Sequence, residues 1–425
     1  MAKNEAALIS EELPIVQKLV IIFFCIYWAF YTLPFFIDSI PFVDYISEAF
    51  HAIIRILSHF SAAAFIGSDI PESTEIGGSG DKLIDYVIAF TYLLLSFLFT
   101  PLLYWFLRKK TRVQQFYGLM IISTRYYLGI ILLNYGFAKC FDLQFLPLNI
   151  YGLEQHFGDS SPMGLLWSFM GHSREFTLFT AMAEIVAGIL LLFRKTYTIG
   201  ALIAFVVMLN VFVLNMCYDV PVKLFSLHLT LMSLFILTPS ISSIFNFLVL
   251  RKNMTLQTAE IHLPKRWMRI SRNALKVLFL SLIPVMSLLN QIEYYNDQKI
   301  YFQGLNANYS SIYFIKNNDS LPIADTTRWD KLIIDEGYAK IIASNNKSSW
   351  YTIQVDTVVH KLILKDNNDS TLQYSFVYAL NNKKLHLNGI FKKDTLSIEF
   401  GQKKKEEYIL NERGFHWISE TPYNR

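Results

Sequence analysis

Arg125 and Glu184 are charged residues set deep inside apolar runs. Arg125 lies about ten residues into Gln115–Ala138, and Glu184 about nine residues into Glu175–Leu192. At a rise of about 1.5 Å per residue, both fall near the middle of a bilayer. A charge there costs several kcal/mol and is normally held by a partner. The spacing predicts an Arg125–Glu184 ion pair, acting either as a clamp between two helices or as a proton or ligand site. Arg125, Leu132, Gly136 and Lys139 share one face of their helix. Gly129 and Gly136 let a second helix approach closely, and Ala187 and Gly188 offer a matching small face beside Glu184.

A second set of polar residues gathers toward one end of the apolar runs. Asn210 and Asn215 lead to Asp219 and Lys223, with Ser226 and His228 following. Lys139, Cys140, His156, Asp159, His172 and Arg174 are expected at the same level. Such a layer could bind an anionic head group, a quinone head or a peptide, and His228 beside a carboxylate could relay protons near neutral pH. The alternative is a hydrated loop layer with Asp219 and Lys223 pairing across a turn. The signatures HExxH, GxSxG and GxGxxG are absent, which argues against an autonomous enzyme. Cys25, Cys140 and Cys217 share no motif and form no CxxC. Cys140 and Cys217 both fall at helix ends, and their pairing stays open, because spacing alone does not fix the Cα separation. His51 and His59 stand eight residues apart, a poor chelate, and no metal site is expected.

These residues need elements to position them, and composition says which. The chain has 425 residues, of which 53% are hydrophobic and 17% charged. Soluble domains carry roughly 25% charged residues, so the balance belongs to a membrane protein. Seven runs are long enough, or nearly so, to cross about 30 Å of hydrocarbon. They are Pro14–Ile37, Ile84–Leu107, Gln115–Ala138, Glu175–Leu192, Tyr197–Met216, Lys223–Leu250 and Ala274–Leu289. Basic residues follow the second, fourth and sixth runs: Arg108–Arg112, Arg194 with Lys195, and Arg251 through Arg272. The first loop carries Asp69, Glu72, Glu75 and Asp81 instead. The positive-inside rule then places the N-terminus in the cytoplasm and everything after Leu289 outside. The first run follows an acidic leader without a cleavage site and reads as a retained helix. Tyr45–Ile66 has apolar residues at helical spacing and reads as an interfacial helix.

After Asn290 the long runs stop and short alternating segments begin. Ser310–Ile315, Lys331–Ile334, Lys340–Ala343, Tyr351–Val355, Val358–Leu364, Thr371–Ala379, Lys384–Leu387, Thr395–Phe400 and Tyr408–Leu410 are expected as strands of an antiparallel barrel or sandwich. Acids and bases nearly balance there, so no nucleic acid is expected as a partner. Arg328 with Trp329, and Arg413 with His416 and Trp417, bring cations beside large aromatics. They read as plugs and lids of a barrel end, or as a ligand pocket. The expected organisation is 1–110 (first spans and interfacial helix), 111–250 (a four-helix core), 251–292 (basic loop and last span) and 293–425 (β domain).

The block from Arg125 to Lys139, with its Leu-Gly and Tyr-Gly-Phe-Ala-Lys, resembles the DoxX-like family of small membrane proteins, and Glu184 fits that family's following helix. Gly158–Trp167, Asp219–Ser226, Asp325–Trp329 and Arg413–Trp417 resemble the long Bacteroidota-type members that add an outer β domain. The resemblance implies a four-helix core in spans three to six. It implies little about activity: some relatives are membrane subunits of quinone-linked oxidoreductases. The expected function is therefore an accessory or scaffold protein of the bacterial inner membrane. It would hold a lipid, a quinone or a partner in its polar site and dock a periplasmic or membrane partner through the β domain. The alternative is a subunit of a quinone-linked oxidoreductase, followed by a small-molecule transporter.

Overall fold

The structure, a computed structural model, describes residues 13–39, 44–67, 81–252, 304–369 and 371–421, with scattered positions elsewhere. The chain divides into two compact units, Met1–Gln144 with Glu175–Ile292, and Phe145–Arg174 with Glu293–Arg425.

The first unit is helical. Among the described residues, five of its helices are long and apolar enough to cross a membrane: α1 (Ile15–Asp38), α3 (Leu83–Leu107), α4 (Lys110–Cys140), α7 (Arg174–Leu192) and α8 (Tyr197–Cys217). Their apolar residues run all round each helix, as lipid on one side and packed neighbours on the other require. Hydroxyls inside these helices bond back to the preceding turn, as Thr91 does to Val87 O (2.8 Å) and Ser96 to Tyr92 O (2.6 Å), so no polar group is left facing hydrocarbon at those positions. The expected sixth span is broken: α9 (Lys223–Leu237) and α10 (Ile241–Leu248) meet at 80°. Pro239 lies in the break, where its ring and missing N–H stop a helix from continuing. The expected seventh span, Ala274–Leu289, lies outside the described residues but for scattered positions. Between α1 and α3, α2 (Asp44–Ser61) buries Ile54, Ser58 and Ser61 and leaves Tyr45, Ile53, Ile56 and Phe60 exposed. That is the two-sided pattern expected of an interfacial helix.

The second unit holds α5 (Ile150–Leu153), α6 (Pro162–His172) and the β domain. The strands are β1 (Ala307–Lys316), β2 (Asp319–Ser320), β3 (Trp329–Asp335), β4 (Tyr338–Ala343), β5 (Ser348–Asp356), β6 (Lys361–Asp366), β7 (Gln373–Asn381), β8 (Lys384–Phe391) and β9 (Asp394–Lys403). Each pairs antiparallel with its neighbour in order, β2 sits only on β1, and β1 pairs with β9. Eight strands therefore close into an up-and-down barrel, which leaves no edge. Two-residue turns with positive φ set the register, among them Glu336-Gly337 and Asn382-Lys383. Alternate residues point inward, as in β7, where Tyr374, Phe376 and Tyr378 are buried and their neighbours exposed. Tyr309, Phe314, Trp329, Phe376 and Phe400 fill the interior, so this barrel is a packed core.

A polytopic helix bundle followed by an antiparallel β domain is thus what the sequence leads one to expect, with two local corrections. Tyr408–Leu410 is no strand: a 3-10 turn (Lys405–Glu407) runs into α11 (Ile409–Glu412). Val358 and Val359 lie exposed in a turn, and β6 starts at Lys361.

Candidate functional site

The polar centre of the helical unit is a Lys139–Glu184 pair. The Lys139 Nζ lies 2.6 Å from both Glu184 carboxylate oxygens. Lys139 is 5% exposed and Glu184 2%. The small residues of α4 and α7 bring the two together. A Cβ at Gly136 would stand 2.5 Å from Ile185 Cγ1 and 3.0 Å from Ala181 O, and one at Gly188 would stand 2.9 Å from Gly129 O. These contacts fix an antiparallel register in which Gly129 faces Gly188 and Gly136 faces Ala181 and Ile185. Glu184 then lies one turn from Gly136, within reach of Lys139.

That register overturns the expected Arg125–Glu184 pair. Arg125 and Lys139 are about 21 Å apart along α4 at the helical rise, and Glu184 serves the lysine end. Arg125 lies instead with its guanidinium carbon 5.1 Å from the Tyr126 ring centre and 5.2 Å from that of Tyr197. Equal depth in two hydrophobic runs does not bring residues together when one helix extends past the other. The 31-residue α4 is much longer than the 19-residue α7, so the middles of the two runs do not meet.

The second expected cluster separates into local pairs. Asn215 Nδ2 donates to Ser226 Oγ at 3.0 Å. Lys223 pairs with Asp219 at 2.8 Å, across the turn, and with Asp81 at 3.4 Å. His228 is buried against α1. Its Nδ1 donates to the Leu224 carbonyl at 2.7 Å, which leaves Nε2 of the neutral ring to accept from the Tyr27 hydroxyl at 2.6 Å. Tyr31 stacks on the imidazole at 4.3 Å between centres, and Trp28 packs edge-on. The carboxylate expected beside His228 is replaced by an aromatic wall. Asn210 faces outward on α8 and joins none of these groups. His156, Asp159 and His172 belong to the second unit. Among the described residues, Cys25, Cys140 and Cys217 form no disulfide.

In the barrel, Arg328 and Trp329 fit the plug-and-lid expectation. Trp329 is 4% exposed and packs on Phe314, Phe376 and Phe391. The Arg328 guanidinium donates to the carbonyls of Leu321 (2.9 Å), Ser311 (3.2 Å) and Ile312 (3.1 Å). The C-terminal pair departs from it. Trp417 is 89% exposed, Arg413 stacks on Tyr423 at 4.3 Å, and His416 bonds its own turn at Gly414 O (2.8 Å). Trp417 lies beyond the last strand, where no inward-facing position remains for it.

Several residues that organise these sites carry little signal in the sequence. Asp81 accepts from the first amides of α9, Lys223 N (3.0 Å) and Leu224 N (3.1 Å), as a capping acid more than a hundred residues away in sequence. Glu154, after α5, accepts from Lys331 Nζ and the Tyr408 hydroxyl, both at 2.6 Å. Burial works to raise its carboxyl pKa, but these hydrogen bonds outweigh it and hold the group below its usual range. Asp335 accepts from Ile150 N at 2.8 Å and completes the attachment of the 149–154 segment to β3. Only a partner search across the whole chain could have found these contacts, because none is periodic.

An apolar helix bundle with an interior ion pair, followed by a closed and filled β barrel, defines a multi-pass membrane protein with an appended β domain. A stretch of 108 residues is 32% identical to the uncharacterized protein YwoB of Bacillus subtilis (strain 168), and the match covers 22% of this chain and 70% of that protein. The chain belongs to the same family as that protein. No described protein family matches the chain in a family scan, and no solved structure matches it.

Proposed function

We propose that the chain is an accessory or scaffold protein of the bacterial inner membrane, with a DoxX-like four-helix core in α4 and α7 to α9. The bundle holds a lipid, a quinone or a partner helix. The β domain lies on the periplasmic side and docks a periplasmic or membrane partner. The basic residues after α3 and after α7 support this orientation through the positive-inside rule.

One observation carries the reading: both oxygens of Glu184, the buried carboxylate of the bundle, are engaged by Lys139. A carboxylate so bound clamps helices and is not poised as a general base, which needs its acceptor sites open to a substrate proton. The filled barrel points the same way, toward a surface that docks rather than a cavity that encloses. A second reading, a membrane subunit of a quinone-linked oxidoreductase, is favoured by the buried imidazole of His228 among Tyr27, Tyr31 and Trp28. A transporter is favoured less: inverted repeats supply two broken helices, and among the described residues α9–α10 is the single bent pair.

The deciding experiment is mass spectrometry of an organic extract of protein purified from its native membrane. The scaffold reading expects no stoichiometric quinone whose presence depends on Glu184 or His228. A stoichiometric quinone that disappears in Glu184→Gln or His228→Ala, with folding intact, would replace it with the redox-subunit reading.

A further inference from the structure

The bend in the sixth apolar run sets α10 apart from the spans. α9 has 15 residues, about 22 Å at the helical rise, against the roughly 30 Å of hydrocarbon that a span must cross. α10 turns away at 80° and adds little length in that direction. Its starting depth is marked by a hydrogen bond between the hydroxyls of Thr238 and Tyr117. Tyr117 lies seven residues into α4, about 10 Å along the helix from the basic turn of Arg108, Lys109, Lys110 and Arg112. Both lengths put the start of α10 roughly 10 Å inside the basic end of the bundle, at the boundary between headgroups and acyl chains.

The residues of α10 are patterned for that boundary. Ile241, Phe245 and Leu248 recur at i, i+4 and i+7, and each is more than half exposed. Val249 continues the same exposed stripe. Ser242, Ser243 and Asn246 fall on the opposite side at about 100° per residue. Ile244, next to the stripe, packs against the buried core of the bundle. A helix that is apolar on one flank and hydroxyl and amide on the other lies in the plane of an interface, whereas the end of a span is apolar all round. The chain leaves this helix through Arg251, whose φ of 54° is left-handed, and Lys252 N donates to Asn246 O at 3.0 Å. This tight exit holds two exposed cations at the end of the helix. They complement the negative end of the helix dipole, and at headgroup level they also match an anionic leaflet.

We propose that α10 lies flat in the membrane interface and binds anionic phospholipid: the stripe of Ile241, Phe245 and Leu248 enters the acyl chains, and Arg251 and Lys252 hold the phosphate headgroups. The bend at Pro239 is then the point where the chain leaves the bundle for the membrane surface, and not the discontinuous helix of a transport site. This goes beyond the scaffold reading and fails or stands apart from it, because it uses only the membrane character of the helices.

The test uses the full-length chain in nanodiscs that mix phosphatidylglycerol with phosphatidylcholine. Nitroxides are attached one at a time to Ser242→Cys, Phe245→Cys, Asn246→Cys and Leu248→Cys, with Cys25→Ser, Cys140→Ser and Cys217→Ser as background. Collisions with oxygen, which dissolves among acyl chains, are compared with collisions with a water-soluble nickel chelate. Labels at Phe245 and Leu248 should favour oxygen, and labels at Ser242 and Asn246 the chelate, a reversal within one helical turn. Four labels that all favour oxygen, as in a completed span, overturn the proposal, as do four that all favour the chelate, as in a helix outside the bilayer. Native mass spectrometry of the chain with its own cysteines, released from the same discs, should show phosphatidylglycerol kept in preference to phosphatidylcholine. Arg251→Gln and Lys252→Gln, both at exposed positions, should each lower that preference about fivefold. A preference unchanged in the double variant also overturns the proposal. If a label in the apolar stripe prevents folding, as judged by the thermal transition, the lipid preference decides.

Discussion

At the scale of single residues, the charged groups of this protein are explained by which partner the backbone puts within reach. Glu154 illustrates it outside the bundle. Its carboxyl is held below the usual range by Lys331 and Tyr408, despite partial burial. A group with a depressed folded pKa adds stability that is full above its unfolded value, about 4.3 for a glutamate. That stability is lost as pH falls through the folded value. Calorimetry of the full chain should therefore show the transition of the second unit weakening below about pH 4. Glu154→Gln should remove about 1–3 kcal/mol at neutral pH and flatten that dependence; an unchanged acid profile would mean that the Lys331 and Tyr408 contacts do not matter. The sequence makes Arg125 and Glu184 legible as costly intramembrane charges, because depth in an apolar run is a local property, whereas Lys139 falls just past the end of its run. Who pairs with whom is not local, so Arg125 and Glu184 look like partners until the helix register separates them.

At the scale of elements, small residues determine that register. Gly136 and Gly188 sit where a side chain would collide with Ile185 and with the backbone of α4. Gly136→Leu should force α4 and α7 apart, cost about 1–3 kcal/mol, and lower the detergent thermal midpoint; a variant as stable as wild type would place the helix contact elsewhere. Asp81 joins the start of α3 to the start of α9 by accepting from Lys223 and Leu224. Asp81→Asn should cost about 1 kcal/mol, since an amide oxygen still caps but carries no charge, whereas Asp81→Ala should cost more in the same thermal assay. The reverse order would argue against a capping role. The helices and most strands are readable in the sequence because both have a period: long apolar runs for the spans, alternation for β3 to β9. Apolar residues continue on both sides of Pro239 and conceal the break there, and Tyr408–Leu410 resembles a strand because three residues are too few to show a period.

At the scale of the whole molecule, a bundle with a buried Lys139–Glu184 pair and a barrel filled by its own side chains support the proposed reading of an anchor with a docking domain. The proposed orientation puts the α8–α9 turn outside, and Cys217 at that turn is exposed, whereas Cys25 is buried. A membrane-impermeant maleimide should label Cys217 in intact spheroplasts and leave Cys25 unmodified; protection of Cys217 until the membrane is opened would reverse the topology. The central claim is that Lys139 and Glu184 clamp the bundle and do not perform chemistry, and a double-mutant cycle on the stability of the full chain in lipid tests it most directly. Lys139→Met and Glu184→Leu each strand a buried charge and should each cost about 3–5 kcal/mol, while the double variant, with no charge left to strand, should recover most of that loss. Single substitutions that leave stability intact, or a double variant whose losses simply add, would contradict the clamp and return the carboxylate to the candidates for proton or ligand chemistry.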